Sequence, residues 1–371
     1  MKNLSGKWIF GSDSTFFILY INDDLTFNII DSNVGNPFNW NYSGYLYFED
    51  NYIFFTSDDS DIYFKGFIKS AIDITFETNK FAESPYLFRL NNKNDKSPKI
   101  AFITAIYGLY ESECQKFAIQ TLPTDFICFT NMKDTENFKS NGWIIDNNEY
   151  HYRFKSRIDN DLFTNSLANN KHTFNIAKYY KQNFYSIPIL LKYDYIVWID
   201  GSIEITNPDT SKYMINKLST NIIVTGEHNR IGNNKLYQEM LESNFFRYTS
   251  TYWFNQHQPY QDIFKQYSEY INSGYNDIDY WENKKNSTTY GLWITCLVGF
   301  NINKYETIKF LDEWYLQILK YTTQDQLGFP YACFKLGINP YSFPDNYVNG
   351  DNNEQNTLYI KHNHFRKSFE K

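Results

Sequence analysis

Eight short runs of aromatic and β-branched residues, spaced some ten residues apart, fill the first ninety positions and point to a small antiparallel β-structure. They read WIF, TFFILYI, LTFNII, YSGYLYFE, YIFFTS, IYFKGFI, IDITFE and YLFRL. Turn-prone punctuation separates them: NDD at 22–24, EDN at 49–51 and SDDSD at 57–61. This rhythm predicts a barrel or a sandwich. No acid–base constellation lies in this half, so an accessory role, binding protein or glycan, is expected. The polar stretch NNKNDKSP at 91–98 ends in Pro98 and reads as a linker. Two domains follow: residues 1–92, small and all-β, and residues 93–371.

Beyond the linker the pattern changes to strands alternating with helices. KIAFITAIYG, FICFTN, GWIIDN, DYIVWID, NIIVTGEH and GLWITCLVGFN are strand-like. Helices are expected at 172–187, where Pro188 stops the chain, and at 209–218, 233–246 and 258–273, with TIKFLDEWYLQILKY a further one. The alternation predicts an α/β domain with a mostly parallel sheet and flanking helices. In such sheets ligands sit at the carboxyl ends of the strands. Tyr107-Gly108, Asp200-Gly201-Ser202 and Glu227-His228 all fall at expected strand ends.

A net charge of −7 over 371 residues, with no basic stripe, argues against a general nucleic-acid binder. Aromatic residues make up 20% of the chain, but Asn, Lys, Ile and Tyr are abundant throughout, which fits coding bias, and the aromatics are too common to be diagnostic of sugar stacking. Cys114, Cys128, Cys296 and Cys333 form no CxxC pair and read as reduced core residues rather than a disulfide framework or zinc site. No apolar run of about 18 residues occurs. A cytoplasmic protein without a transmembrane segment is the expectation.

Five places carry chemistry, each with a structural reading beside the functional one. Asp200 at a strand end suits a divalent cation that neutralises a diphosphate, with Gly201 allowing close approach and Ser202 donating to a phosphate or sugar; a capped turn is the alternative. Thr322-Thr323-Gln324-Asp325-Gln326 reads as a helix start, Thr323 being the N-cap and Gln326 closing a capping box. Asp325 and Gln326 then project from the first turn, either for capping alone or toward a reacting sugar. His228 and Arg230 after a strand suit phosphate recognition or surface salt bridges. Lys178 and Lys181, one helical turn apart, suit a diphosphate or a solvated face. The terminal KHNHFRKS, with His362, His364, Arg366 and Lys367, is either a closing tail or a basic terminus.

In the order AKYYKQNF, KYDYIVWIDGSIEI, EHNR and YTTQDQLGFPYACFKLG, with FITAIYGLYES ahead of them, the chain resembles a family of glycosyltransferase-like proteins. That family was formerly a domain of unknown function and includes plant galacturonosyltransferases of pectin and mucilage synthesis. Its marks are a WIDG strand, a His-Arg segment and an S-R-D-Q-L-S-F block; here Thr323-Gln324 stands for Ser-Arg, and Ser202 follows WIDG. The likeness covers roughly residues 98–345. A more distant similarity is to the glycogenin-like, family-eight glycosyltransferases.

The resemblance implies a GT-A-like, Rossmann-like fold and transfer of a sugar from a nucleotide-sugar, UDP-linked donor to a glycan or other hydroxyl acceptor, with retention. It implies that Thr104, Ala105 and Tyr107 line the nucleotide pocket. Asp200 would take the metal position, with Ser202 where a second acid belongs. Asp325 and Gln326 would stand by the anomeric carbon, and His364, or His362, would join Asp200 on Mn²⁺ or Mg²⁺. Lys178, Lys181 or Arg230 would share the diphosphate charge. The rival reading is a non-catalytic glycan-binding or scaffold protein on a decayed transferase fold.

Overall fold

The eight aromatic runs become eight strands: β1 (Gly6–Ser12), β2 (Thr15–Ile21), β3 (Thr26–Asp31), β4 (Tyr42–Glu49), β5 (Tyr52–Thr56), β6 (Ile62–Ile68), β7 (Asp73–Glu77) and β8 (Tyr86–Arg89). Each pairs antiparallel with the next, and β1 also pairs with β8, so the sheet closes into a barrel. Closure leaves no unpaired edge. The computed structural model describes residues 6–12, 15–22, 24–31, 42–49, 52–56, 62–68, 73–77, 86–89, 98–108, 111, 113–133, 135–150, 173–228, 235–244, 262–275, 291–343 and 358–362. The expected boundary at 92/93 and the linker up to position 97 lie outside them.

Period-two alternation sorts the first two strands into two faces. Trp8 stands opposite Leu19, and both are fully buried. Lys7 stands opposite Tyr20 on the other face, where Ile18 and Tyr20 join the core of the following domain. Two polar bonds cross here: Lys7 Nζ donates to the Tyr193 carbonyl at 3.2 Å, and Tyr20 Oη donates to the Ile302 carbonyl at 3.2 Å.

The rest of the chain forms the expected mixed α/β arrangement. Its strands are β9 (Ile100–Ile106), β10 (Thr124–Thr130), β11 (Ile144–Asp146), β12 (Tyr195–Ile199), β13 (Ile203–Ile205), β14 (Ile223–Glu227), β15 (Trp293–Asn301), β16 (Tyr341–Phe343) and β17 (Tyr359–Lys361). Seven of them make one sheet in the order β11-β10-β9-β12-β15-β14-β16, and β13 pairs with β17. The sheet is parallel except at β15, which runs antiparallel to both β12 and β14. A strand buried on both faces is apolar whichever way it runs, so its direction is not written in its composition.

The helices are α1 (Glu136–Ser140), α2 (Thr173–Gln182), α3 (Thr210–Leu218), α4 (Lys235–Ser243), α5 (Ile263–Asn272), α6 (Tyr305–Lys320) and α7 (Asp325–Leu336). The stretch expected as one helix to 187 stops instead at Gln182, and two 3₁₀ turns, Phe184–Ser186 and Pro188–Leu190, follow. Ala101, Ile103, Ile196, Trp198, Val298 and Phe300 pack on one side of the sheet with Tyr179, Tyr180, Phe310 and Trp314 of α2 and α6. Ile100, Phe102, Val197, Val224 and Leu297 pack on the other with Met214 and Leu218 of α3. All four cysteines are buried and unpaired. Among the described residues no helix is long and apolar enough to cross a membrane.

The barrel contacts fix where it sits. Tyr193 precedes β12 and Ile302 follows the reversed β15, so both mark the amino end of β12, away from Asp200. Lys7 is only 1% exposed there, and burial, only partly offset by Asp194, lowers its pKa to about 7. Its unfolded value is 10.5, so between these pH values the unfolded chain holds more protons and stability rises with pH. Lys7→Met should raise stability at pH 7 by roughly 1–4 kcal/mol, the range for replacing a buried charge with an apolar side chain. The gap between variant and wild type should shrink from pH 7 to 9.5 in urea denaturation; a constant gap contradicts the assignment.

Candidate active site at the carboxyl end of the sheet

The alternation that builds β12 decides what meets at its end. Ile196 and Trp198 face the layer containing α2 and α6, and Asp200 follows in the same phase. Trp198 Nε1 donates to Asp200 Oδ1 at 2.7 Å. From above, α2 delivers Lys178 and Lys181, three residues apart and therefore on one face. Lys181 Nζ stands 3.4 Å from Asp200 Oδ1 and also pairs with Asp325 Oδ2. Lys178 Nζ stands 2.8 Å from Asp325 Oδ1. The Lys181 ammonium lies between two indoles, 5.4 Å from the Trp198 ring and 5.7 Å from that of Trp314. Trp314 Nε1 also donates to the Asp325 carbonyl at 2.7 Å. Four residues named from sequence thus form one cluster, and the two lysines are not a solvated face.

Within the quartet, side-chain exposure rises from 1% at Lys181 and 7% at Asp325 to 18% at Lys178 and 38% at Asp200, so Asp200 is where solvent reaches it. Burial opposes the charged form of Asp325, but Lys178 and Lys181 overcome it and hold its carboxyl well below the usual range. At Asp200 burial is likewise overcome, by Lys181, Lys178 and the Trp198 indole, and its pKa is lowered. Burial works against the Lys181 ammonium too, yet Asp200 and Asp325 raise its pKa. At Lys178 burial wins and the pKa falls, although Asp325 pulls the other way.

Asp325 is the first residue of α7, where a carboxylate also meets the positive end of the helix. The expected capping box does not form. Gln324, not Thr323, is the N-cap and makes no side-chain cap bond, while Gln326 Nε2 donates to the Trp293 carbonyl at 3.1 Å. Gly201 is explained by its own chain: a Cβ there would lie 3.2 Å from Ile106 Cδ1 and 3.3 Å from Glu111 Cγ. The Ser202 hydroxyl is buried with no hydrogen-bond partner among the described residues, and its carbonyl accepts from the His362 amide at 2.9 Å.

Tyr107 sits at the end of β9, stacked on Tyr180 at 5.2 Å and donating to its hydroxyl at 2.7 Å. Ala105 shares that face, whereas Thr104 is buried in the phase of Ile100, Phe102 and Ile106, on the opposite face from the lysines. His228 follows β14, two strands from β12 and so about 9–10 Å across the sheet. Arg230, His364, Arg366 and Lys367 lie outside the described residues.

The end of the described chain returns to the site. β17 pairs with β13 so that Lys361 stands opposite Ile203, and His362 Nε2 lies 2.6 Å from Glu204 Oε2. The imidazole is therefore held by Glu204 rather than offered to Asp200. Around Asp200 the described acids are Asp325, held by both lysines, and Glu111 beside Gly201, while Asp200 Oδ1 itself accepts from Trp198 and lies beside Lys181. Among the described residues no group of three His, Cys, Asp or Glu comes together to hold a metal ion. The described residues offer a cation one open carboxylate, at Asp200, and do not by themselves complete a site; His364 lies outside them. Sequence reading missed Trp198 and Trp314 as the lysine's sandwich, and Glu111, 3% exposed beside Gly201. Glu111 stands in the same FITAIYGLYES stretch as Tyr107 and was legible there only as an acid after a strand.

No family model matches the chain, and no curated protein matches it. Solved structures are similar at low identity. The apo structure of the WbbM bifunctional glycosyltransferase overlaps 76% of this chain, at 11% identity and a TM-score of 0.38, and the chain spans only 42% of that protein. Mouse xyloside xylosyltransferase 1, apo form, overlaps 66% at 8% identity and 0.36, covering 84% of its own length. Core-mannan synthase A of Aspergillus fumigatus, in a Mn/GDP form, overlaps 67% at 10% identity and 0.32, covering 72%. These likenesses are too loose to carry the assignment, which rests on the site.

Lys181→Met should destabilise by about 3–5 kcal/mol, because the buried Asp325, and to a lesser extent the half-exposed Asp200, lose a shared partner. Lys178→Met, at the more exposed lysine, should cost less in chemical denaturation. The native pKa of Asp325 lies below its unfolded value, so its contribution is complete above about pH 4 and is lost as pH falls through the native pKa. Asp325→Asn should therefore flatten the acid limb of stability between pH 5 and 2.

Proposed function

We propose that the chain is a glycosyltransferase that moves a sugar from a nucleotide-sugar, UDP-linked donor to a glycan or other hydroxyl acceptor, on a GT-A-like sheet. The observation that carries this is the quartet. Asp200 at the end of β12 and Asp325 at the start of α7, far apart in sequence, meet across Lys178 and Lys181 at the carboxyl end of a mostly parallel sheet. That is where such sheets bind nucleotides.

The charges define the work each residue does. Asp325 stays an anion and Lys181 a cation through neutral pH, so neither acts as a proton carrier. In this reading the quartet is an electrostatic template. Lys178 and Lys181 turn toward the donor diphosphate and stabilise the charge that builds on the departing nucleoside diphosphate. Asp325, released in part from its lysines, faces the positive charge that develops at the anomeric carbon. Gln326, beside it on the first turn of α7, holds sugar hydroxyls, and Tyr107 and Ala105 line the nucleotide side. His228 and Arg230 add to phosphate recognition from the neighbouring strand end. The diphosphate charge is assigned to the lysines because they stand at the sheet end beside Asp200; His364, two residues past His362, is the residue that would join Asp200 on Mn²⁺ or Mg²⁺.

One observation favours the rival reading of a glycan-binding or scaffold protein: the quartet is already balanced in charge, as a structural ion cluster would be. A donor panel separates the two. The transferase should hydrolyse or transfer from one UDP-sugar, and Asp325→Asn should lower turnover by about 100-fold or more, as loss of a transition-state electrostatic group does. The anomeric configuration of the product reads retention. Full turnover in a normally folded Asp325→Asn protein contradicts the assignment, and no binding of UDP by calorimetry, with or without Mn²⁺, favours the scaffold.

A further inference from the structure

The segment that carries Asp325 is held in place by two helices outside the quartet. Glu239 on α4 is 1% exposed. Its Oε1 accepts from Gln324 Nε2 and from Ser243 Oγ, each at 3.1 Å. Gln324 is the N-cap residue of α7, yet its amide reaches across to Glu239 instead of capping its own helix. Two residues earlier, the Thr322 hydroxyl donates to Gln266 Oε1 of α5 at 2.7 Å. Gln266 Nε2 in turn donates to Tyr270 Oη at 2.7 Å, and the Tyr270 ring stacks on Tyr331 of α7 at 3.9 Å.

A buried carboxylate is costly unless its hydrogen bonds are met, and an apolar residue at 239 would pack α4 without that cost. Among its bonds, the one to Gln324 gives Glu239 a directional hold on the residue directly before Asp325. We propose that Glu239 is a positioning residue: through Gln324 it sets the first turn of α7 and so the aim of the Asp325 carboxylate at Lys178 and Lys181. The kinetic part of its test rests on the transferase reading; the chemical part does not.

The chemical part follows Lys178 in the folded full-length protein, by reductive dimethylation at neutral pH and mass spectrometry, with the exposed Lys139 as reference. Glu239→Leu and Gln324→Leu should each raise Lys178 labelling severalfold, because Asp325 no longer covers it. Glu239→Gln keeps an acceptor oxygen for Gln324 and should label as wild type. In sugar transfer, Glu239→Leu should lower kcat by about 10- to 100-fold with donor KM changed less than about threefold, as misplacement of one group does. The double variant should be no worse than the worse single one, since both changes break the same contact. Unchanged Lys178 labelling in folded Glu239→Leu overturns the proposal, and so does additive loss in the double variant. If Glu239→Leu does not fold, Gln324→Leu decides by the same labelling. A wild-type protein that transfers no sugar overturns the function instead, and labelling still decides the role of Glu239.

Discussion

The double ion pair of Lys181 is the interaction on which the end of the sheet depends. One ammonium, 1% exposed, is shared by an acid at the end of β12 and an acid at the start of α7, and is held between the rings of Trp198 and Trp314. Removing a charge from water is expensive, and only a close, well-placed set of partners offsets it. Every element nearby serves that placement. β12 supplies Trp198 and Asp200 in one phase, α2 supplies both lysines on one face, and α6 fixes the Asp325 backbone through its indole. The cluster joins sheet, α2, α6 and α7 into one unit, with Asp200 left open to solvent.

The same geometry assigns the barrel a supporting place. Its contacts through Lys7 and Tyr20 lie at the amino end of β12, a strand of roughly 17 Å in length, and the quartet lies at the other end. The barrel side chains described here therefore cover the base of the sheet rather than the end that carries the quartet. β17 does the reverse: it pairs beside the Asp200-Gly201-Ser202 turn and is fastened by His362 and Glu204, so the end of the described chain borders the site.

Much of this was legible in the sequence, for physical reasons. Barrel strands announce themselves by regular spacing and turn residues, and the α/β domain by its alternation. Asp200 and Asp325 stood out because a polar residue at the end of an apolar strand, or at a helix start, needs a reason, whereas Lys178 and Lys181 were marked only by their helical spacing. Their pairing was not legible. Lys178 and Lys181 look like any solvated helix face until α7 is folded against them, and ion pairs between distant segments leave no local pattern. Thr323 failed as a cap for a related reason: local capping competes with tertiary bonds, and Thr322 and Gln324 are engaged by Gln266 and Glu239 of other helices. The glycine after Asp200 was read as a place of close approach, and its Cβ side is packed against Ile106 and Glu111, which no local pattern announced. The reversed direction of β15 was hidden because burial on both faces erases the polarity that marks a strand's orientation.

If the quartet is a nucleotide-sugar site, its two lysines must exchange carboxylate partners for phosphate when the donor arrives. The most direct measurement is a crystal structure of the full chain with UDP. The account predicts diphosphate oxygens within hydrogen-bond distance of Lys178 and Lys181, the nucleotide lying toward Tyr107, and a lengthened Lys178–Asp325 pair. A nucleotide bound elsewhere with the quartet unchanged, or none bound at saturating concentration, contradicts it.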